Sequence, residues 1–171
     1  MALTSRLSRI LKHRLVDETD ARRALSTAAL DRIEARVKAS EQHHSGEIRV
    51  CVEASLPLSY LWRHAPARER AVTMFGKLRV WDTQHNNGVL IYLLLADRQV
   101  DIVADRGLND HVSVAQWSAL LSDMSGAFRR GEYESGLIAA VDAVNALLVR
   151  HFPVSSKAEN RNELPDRPTL I

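Results

Sequence analysis

The sequence predicts an α/β fold, a three-layer α/β/α sandwich on a small mixed sheet, with two helices ahead of the sheet. Three observations point there. The hydrophobic period switches from about 3.6 to 2 and back along the chain. One run, Val89 to Leu95, is apolar on both faces and so needs cover on both sides. The elements alternate as helix, helix, strand, helix, strand, strand, helix, helix, an order that lays helices over a sheet.

Each element has a local reason. Leu3, Leu7, Ile10, Leu11 and Leu15 share one helical face, with Arg6, Arg9, Lys12 and Arg14 mostly on the other. A second helix is expected from Ala28 to about Gln42, capped by Ser26 or Thr27, with Leu30, Ile33 and Val37 as its stripe. In Glu47 to Ala54, EIRVCVEA, the period becomes two. Ile48, Val50 and Val52 face one way; Glu47, Arg49, Cys51 and Glu53 face the other. Pro66 suits the first turn of a helix reaching about Leu78, with Ala71, Phe75 and Leu78 inward. Gly88 opens the central strand, Asp97-Arg98 turns the chain, and Gln99 to Asp105 returns antiparallel. Ser113 with Gln116 reads as a capping box, and Val114, Trp117, Leu121, Met124 and Phe128 stripe the helix it starts. Gly131 ends that helix, and a last one runs from about Tyr133 to Phe152. Beyond Pro153 the chain is polar and proline-dotted, which predicts disorder. The expected organisation is therefore a helical segment over 1–45 packed on the domain, the α/β/α domain over 46–152, and a disordered tail over 153–171.

The 171 residues suit one domain with short appendages. With 23 basic and 21 acidic residues, formal charge +2, a dedicated nucleic-acid binder is not expected. The single cysteine, Cys51, cannot close an internal disulfide and sits mid-strand, far from a nucleophile's usual helix start. The longest apolar run, Val89 to Ala96, falls well short of the roughly 20 residues a membrane helix needs. The first fifteen residues lack the apolar core of a secretory signal. They are basic, amphipathic and free of acids, which fits a docking helix, a transit peptide, or peripheral contact of residues 3–15 with an anionic membrane.

Acids and amides near the strand ends are the candidates for chemistry. Asp101 and Asp105 share a strand face but stand roughly 13 Å apart, too far to hold one ion. A metal site would join Asp105 to Asp82, His85 and Asn87 in the loop entering the central strand. Their carboxylate and amide oxygens suit a hard cation, Ca²⁺ or Mg²⁺. The plainer alternative pairs Asp101 with Arg49 or Arg98 and lets Asp105 cap the next loop. His43 and His44 close a helix, where imidazoles meet terminal carbonyls. No zinc spacing, phosphate loop, dinucleotide fingerprint or serine elbow occurs, so no nucleotide or organic cofactor is expected.

Several of these signals, taken in order, resemble the TPM domain family. They are Gly46-Glu47-Ile48; Ala71 and Phe75; Asn87-Gly88-Val89-Leu90; Arg98 in the turn; Asp105-Arg106-Gly107-Leu108; and Phe128-Arg129 before Gly131, Tyr133 and Gly136. The resemblance implies an α/β/α sandwich. It is to a family that includes thylakoid-lumen proteins implicated in photosystem II repair and many bacterial proteins. Acid phosphatase activity is attributed to some members and calcium or other divalent-metal binding to others. The chain departs from the family pattern in carrying Asp105 for glycine and Asn109 for an acid. Two readings stay open: a non-catalytic module binding a divalent cation or a protein or peptide partner, and a metal-dependent acid phosphatase-like hydrolase. With no signal or anchor in the sequence, a cytoplasmic branch is expected.

Overall fold

The structure, a computed structural model, describes residues 2–154 and 162–171, with the backbone path alone over 2–6. Its elements are α1 (Ala2–Arg14), α2 (Glu18–Ala24), α3 (Thr27–Glu41), β1 (Ile48–Glu53), α4 (Leu58–Trp62), α5 (Ala67–Lys77), β2 (Val89–Leu94), β3 (Gln99–Ala104), α6 (Arg106–Asn109), α7 (Val114–Arg130), α8 (Tyr133–His151) and β4 (Thr169–Leu170). The sheet order is β3-β2-β1-β4. β1 and β2 run parallel, Ile48 opposite Val89, joined through α4 and α5 because a parallel pair needs a long crossover. β2 and β3 form the expected hairpin, Ile91 opposite Ile102. Arg98 takes the left-handed conformation that tightens its turn, at φ 51°.

Two cores sandwich this sheet. On one face Ile48, Val50, Val52, Val89, Ile91 and Leu93 meet Ala21, Ile33, Val37, Phe128, Val141 and Leu148 from α2, α3, α7 and α8. On the other, Cys51, Leu90, Tyr92 and Leu94 meet Leu61, Ala67, Ala71 and Met74 from α4 and α5. Every residue of β2 is fully buried, as a strand covered on both faces must be. Each such aliphatic side chain contributes about 1.5–3 kcal/mol by leaving water.

The caps follow their sequence signals. Ser26 Oγ accepts from Ala29 N at 3.2 Å. Ser113 and Gln116 close a reciprocal box. Gly131 stands at φ 80°. Three helices, not two, precede the sheet. α2 starts at a box built by Asp17 and Asp20, a carboxylate version of the usual Ser/Thr signature.

Three expectations are corrected. First, the end of the supposed disordered tail is ordered. Residues 155–161 lie outside the described residues, but Thr169 and Leu170 pair with Cys51 and Val52 as β4. Arg49 holds that segment by donating to the carbonyls of Pro165 and Arg167 and to Thr169 Oγ1. A polar, proline-bearing stretch can be fixed this way because buried side chains bond its backbone in place of an apolar stripe.

Second, α1 does not dock by its leucines. Leu7, Leu11 and Leu15 are 62%, 61% and 72% exposed. Beyond Ile10, which packs on the α4–α5 core, the contact is polar: Arg9 and Lys12 reach Asp97 at 3.0 and 3.2 Å, and buried His13 accepts from Leu56 N at 3.0 Å.

Third, the stripe on α7 is buried only at Met124 and Phe128, while Val114 is 82% exposed. The first turns of α7 overhang a groove of about 570 Å³ beside edge strand β3. That edge is blunted, since Arg68 donates to the Ile102 carbonyl and Asn109 to the Ala104 carbonyl.

Among the described residues, no helix is long and apolar enough to cross a membrane.

Candidate functional site

The starts of β1 and β2 and the end of β3 meet at one rim of the sheet, and acids collect there. The loop before β2 is held close by two glycines. A Cβ on Gly88 would sit 2.0 Å from the Val80 carbonyl oxygen, and one on Gly107 2.7 Å from that of Asn86. Only glycine admits these approaches, so Asn87 and Asp105 are brought to neighbouring strands. The Asp105 N–H donates to the Gly88 carbonyl at 2.9 Å.

Most rim acids are occupied by the protein itself. Glu47, 2% exposed, accepts from the N–H groups of Glu163 and Leu164, both at 3.1 Å. Burial pushes its carboxyl up to about 7 despite those two donors. Glu41 accepts from Ile48 N at 3.1 Å. Burial, reinforced by Glu47 and Asp166, pushes it up to about 8. Glu163 accepts from Gln84 N. The C-terminal segment is thus tied across the rim through backbone donors. His44 is fully buried, and burial lowers it to about 4, so it stays neutral near pH 7. His43 meets the Ala39 carbonyl at the end of α3, as its position suggested.

The four residues expected to share a metal separate into two pairs. Asp82 is exposed and pairs with Arg79 at 2.5 Å; His85 is exposed in the loop. Asn87 and Asp105 are buried, 0% and 8% exposed. Asn87 Nδ2 donates to Ser45 Oγ, and Asp105 Oδ1 accepts from Arg106 N as the cap of α6. The remaining oxygens, Asn87 Oδ1 and Asp105 Oδ2, are buried with no hydrogen-bond partner among the described residues. Among the described residues no three His, Cys, Asp or Glu side chains converge as a metal cluster, so Asp82, His85 and Asp105 do not form one.

Asp101 pairs with neither arginine proposed for it. Arg49 turns to the C-terminal segment and Arg98 to the Arg129 carbonyl. Gln99 Nε2 donates to Asp101 at 3.1 Å. Burial still raises its carboxyl, with Arg68 opposing. At the other end of β1, Glu53 is gripped by Arg70 through Nε and Nη2, at 2.9 and 2.7 Å, and by the Tyr92 hydroxyl at 2.6 Å.

Sequence reasoning missed Glu41, Asp166 and the clamp role of Arg49. Arg49 and its partners, like Glu41 and Asp166, lie more than a hundred residues apart, and no local period marks them. Glu41 alone left a trace, an acid in the last turn of a helix, where the dipole disfavours it.

A mixed sheet between two helical layers, with an acid-rich rim strapped by a terminal segment, defines the class as an α/β/α sandwich protein. The sequence matches the TPM domain over residues 19–147, and the chain belongs to that family. The match takes in α3 and most of α2 along with β1, β2 and β3, and leaves out β4. The BA42 protein of the psychrophilic bacterium Bizionia argentinensis is similar in structure, at TM-score 0.73 and 27% identity, over 85% of this chain and 94% of that one. The N-terminal domain of a P. gingivalis protein is also similar, at TM-score 0.59 and 25% identity, over 77% and 82% of the two chains. No curated protein matches the chain.

Proposed function

We propose that this TPM domain is a non-catalytic binding module that takes a hard divalent cation, Ca²⁺ or Mg²⁺, at Asp105 and Asn87. The observation that carries this reading is the pair of buried, unpartnered oxygens, Asp105 Oδ2 and Asn87 Oδ1. Leaving such atoms unmatched costs about 1–3 kcal/mol each, a cost that a ligand would offset. One carboxylate and one amide oxygen are hard donors of the kind Ca²⁺ and Mg²⁺ prefer, and Mg²⁺ commonly completes its shell with water. When bound, the cation would neutralise Asp105 and brace the loop before β2. Ser45 would orient the amide of Asn87, and Arg106 N would hold the second carboxylate oxygen in place. The fit extends to these two residues and not to Asp82 or His85.

Calorimetric titration with Ca²⁺ and Mg²⁺ tests the reading. A saturable signal at or below millimolar ion is expected, lost in Asp105→Asn, which keeps the cap but removes the charge. Silence at millimolar ion would remove the proposal. Cation-dependent turnover of a chromogenic phosphate ester, abolished by the same substitution, would overturn its non-catalytic half and favour the hydrolase.

A further inference from the structure

An amphipathic helix normally turns its apolar stripe inward, but of the described side chains in the stripe of α1 only Ile10 packs on the core. The polar side of the helix carries the rest of the contact with the domain. Arg9 donates to Asp97 and to the Ala65 carbonyl at 3.0 Å, and the Nε2 of buried His13 lies 3.2 Å from Asp97 Oδ1. Leu7, Leu11 and Leu15 therefore project outward from a helix whose orientation is fixed by charge. Two more large apolar side chains belong to α4, which packs against α1. They are Leu58 at 56% exposed and Trp62 at 75%.

We propose that this leucine face is a peripheral docking surface for an anionic lipid bilayer. Charge selects that occupant over a second copy of the chain. Residues 2–16 contain no acid. Arg14 is exposed and makes no ion pair among the described residues, and Lys12 keeps half of its side chain in solvent. Two copies of α1 laid face to face would bring cations together with no carboxylate between them. The next acids along the chain are already engaged: Asp17 caps α2 and Glu18 pairs with Arg22 at 2.7 Å. A bilayer with anionic headgroups supplies both an apolar interior for the leucines and negative charge for Arg14 and Lys12. The exposed Trp62 of α4, the helix packed on α1, suits the headgroup boundary, where an amphipathic ring is stable.

Co-sedimentation of the full chain with phosphatidylcholine vesicles, with and without roughly a third phosphatidylglycerol, tests the proposal. Binding to the anionic vesicles is expected, with release by salt and little binding to neutral ones. The double variant Leu7→Ser, Leu11→Ser should lower the bound fraction by about tenfold or more, and Arg14→Glu by a few-fold. Because these side chains are exposed, the variants should keep the parent thermal transition. Equal binding to both vesicle types, or undiminished binding by the leucine variant, would overturn the proposal. So would a parent dimer in analytical ultracentrifugation, without vesicles, that the leucine variant converts to monomer. That result would assign the face to a second copy.

Discussion

Glu47 and Glu53 bracket β1, share one face of it, and are 2% and 4% exposed. Their surroundings nevertheless differ in kind. Glu53 is met by a guanidinium and a phenol: Arg70 donates to it from both Nε and Nη2, and Tyr92 donates to it. The carboxylate in turn raises Arg70 above the ordinary arginine value, and burial raises the Tyr92 phenol. Among the described residues, no cation pairs with Glu47. Its donors are two backbone N–H groups of a segment that arrives from the far end of the chain, and its neighbours include Glu163 and Asp166. A buried carboxylate can be compensated by opposite charge or by dipoles. The first makes a rigid brace. The second leaves an acid whose ionisation is costly, and so makes one end of the strand sensitive to pH.

The largest expected effect lies at the braced end. Arg70→Met would leave Glu53 buried without its countercharge, a change that costs about 3–5 kcal/mol. Equilibrium unfolding in urea reads this directly. Replacing both partners, Glu53→Leu with Arg70→Met, should cost much less, because no charge is then stranded. A single-variant loss below about 1 kcal/mol would mean that Glu53 is relieved by water, and the contrast between the two ends would fail.

The strapped end should show itself in the pH dependence of stability. Glu47 and Glu41 are raised in the folded chain from 4.5 to about 7 and about 8, chiefly by burial. A carboxyl raised by folding binds its proton more tightly in the folded state. Its contribution is complete below the unfolded value and is lost as pH rises through the folded one. Stability should therefore fall between about pH 4.5 and 8, by roughly 3 kcal/mol if Glu47 acts alone. Glu41 and Glu47 sit close enough to titrate together, so the curve belongs to the pair. Glu41→Gln with Glu47→Gln should flatten it, and a slope that survives both substitutions would place its origin elsewhere.

The dock of α1 provides the opposite sign. Burial alone would raise Asp97, but hydrogen bonds from His13 and Arg9 outweigh it and hold the carboxyl well below its ordinary 3.8. That contribution is present above the ordinary value and is lost as pH falls through the folded one. Asp97→Asn should cost about 2 kcal/mol near pH 7 and little in strong acid, read from thermal transitions at the two pH values.

The parts of the fold legible in the sequence are those whose signals are local. The uninterrupted apolar run from Val89 marked the centre of the sheet. Ser26, Ser113 and Gly131 marked helix ends, and the spacing of Ile48, Val50 and Val52 marked a strand. The illegible parts depend on distant partners. Leucines at intervals of four along α1 reveal a two-faced helix, but which face docks is decided by Asp97, more than eighty residues away. The C-terminal segment looks unstructured because its order comes from Arg49 and Glu47 bonding its backbone. At the rim, strand ends gathered the expected residue types, yet Asp82 and His85 lie on the outer part of the loop while Asn87 and Asp105 turn inward. Sequence spacing does not distinguish these orientations where the chain leaves regular structure.

The smallest expected effects sharpen the same comparison at the rim itself. Asp82 and Arg79 form an exposed pair three residues apart, with side chains 48% and 70% in solvent. Such pairs contribute about 0–1 kcal/mol. Asp82→Asn and His85→Ala should therefore leave the urea midpoint nearly where it was. They should also leave the Ca²⁺ and Mg²⁺ titrations unchanged, because the orphaned oxygens belong to Asn87 and Asp105. If either substitution weakens cation binding tenfold while stability holds, the loop must close over the ion on binding. The four residues would then act together in the bound state, and the division between an outer and an inner pair would describe only the ion-free chain.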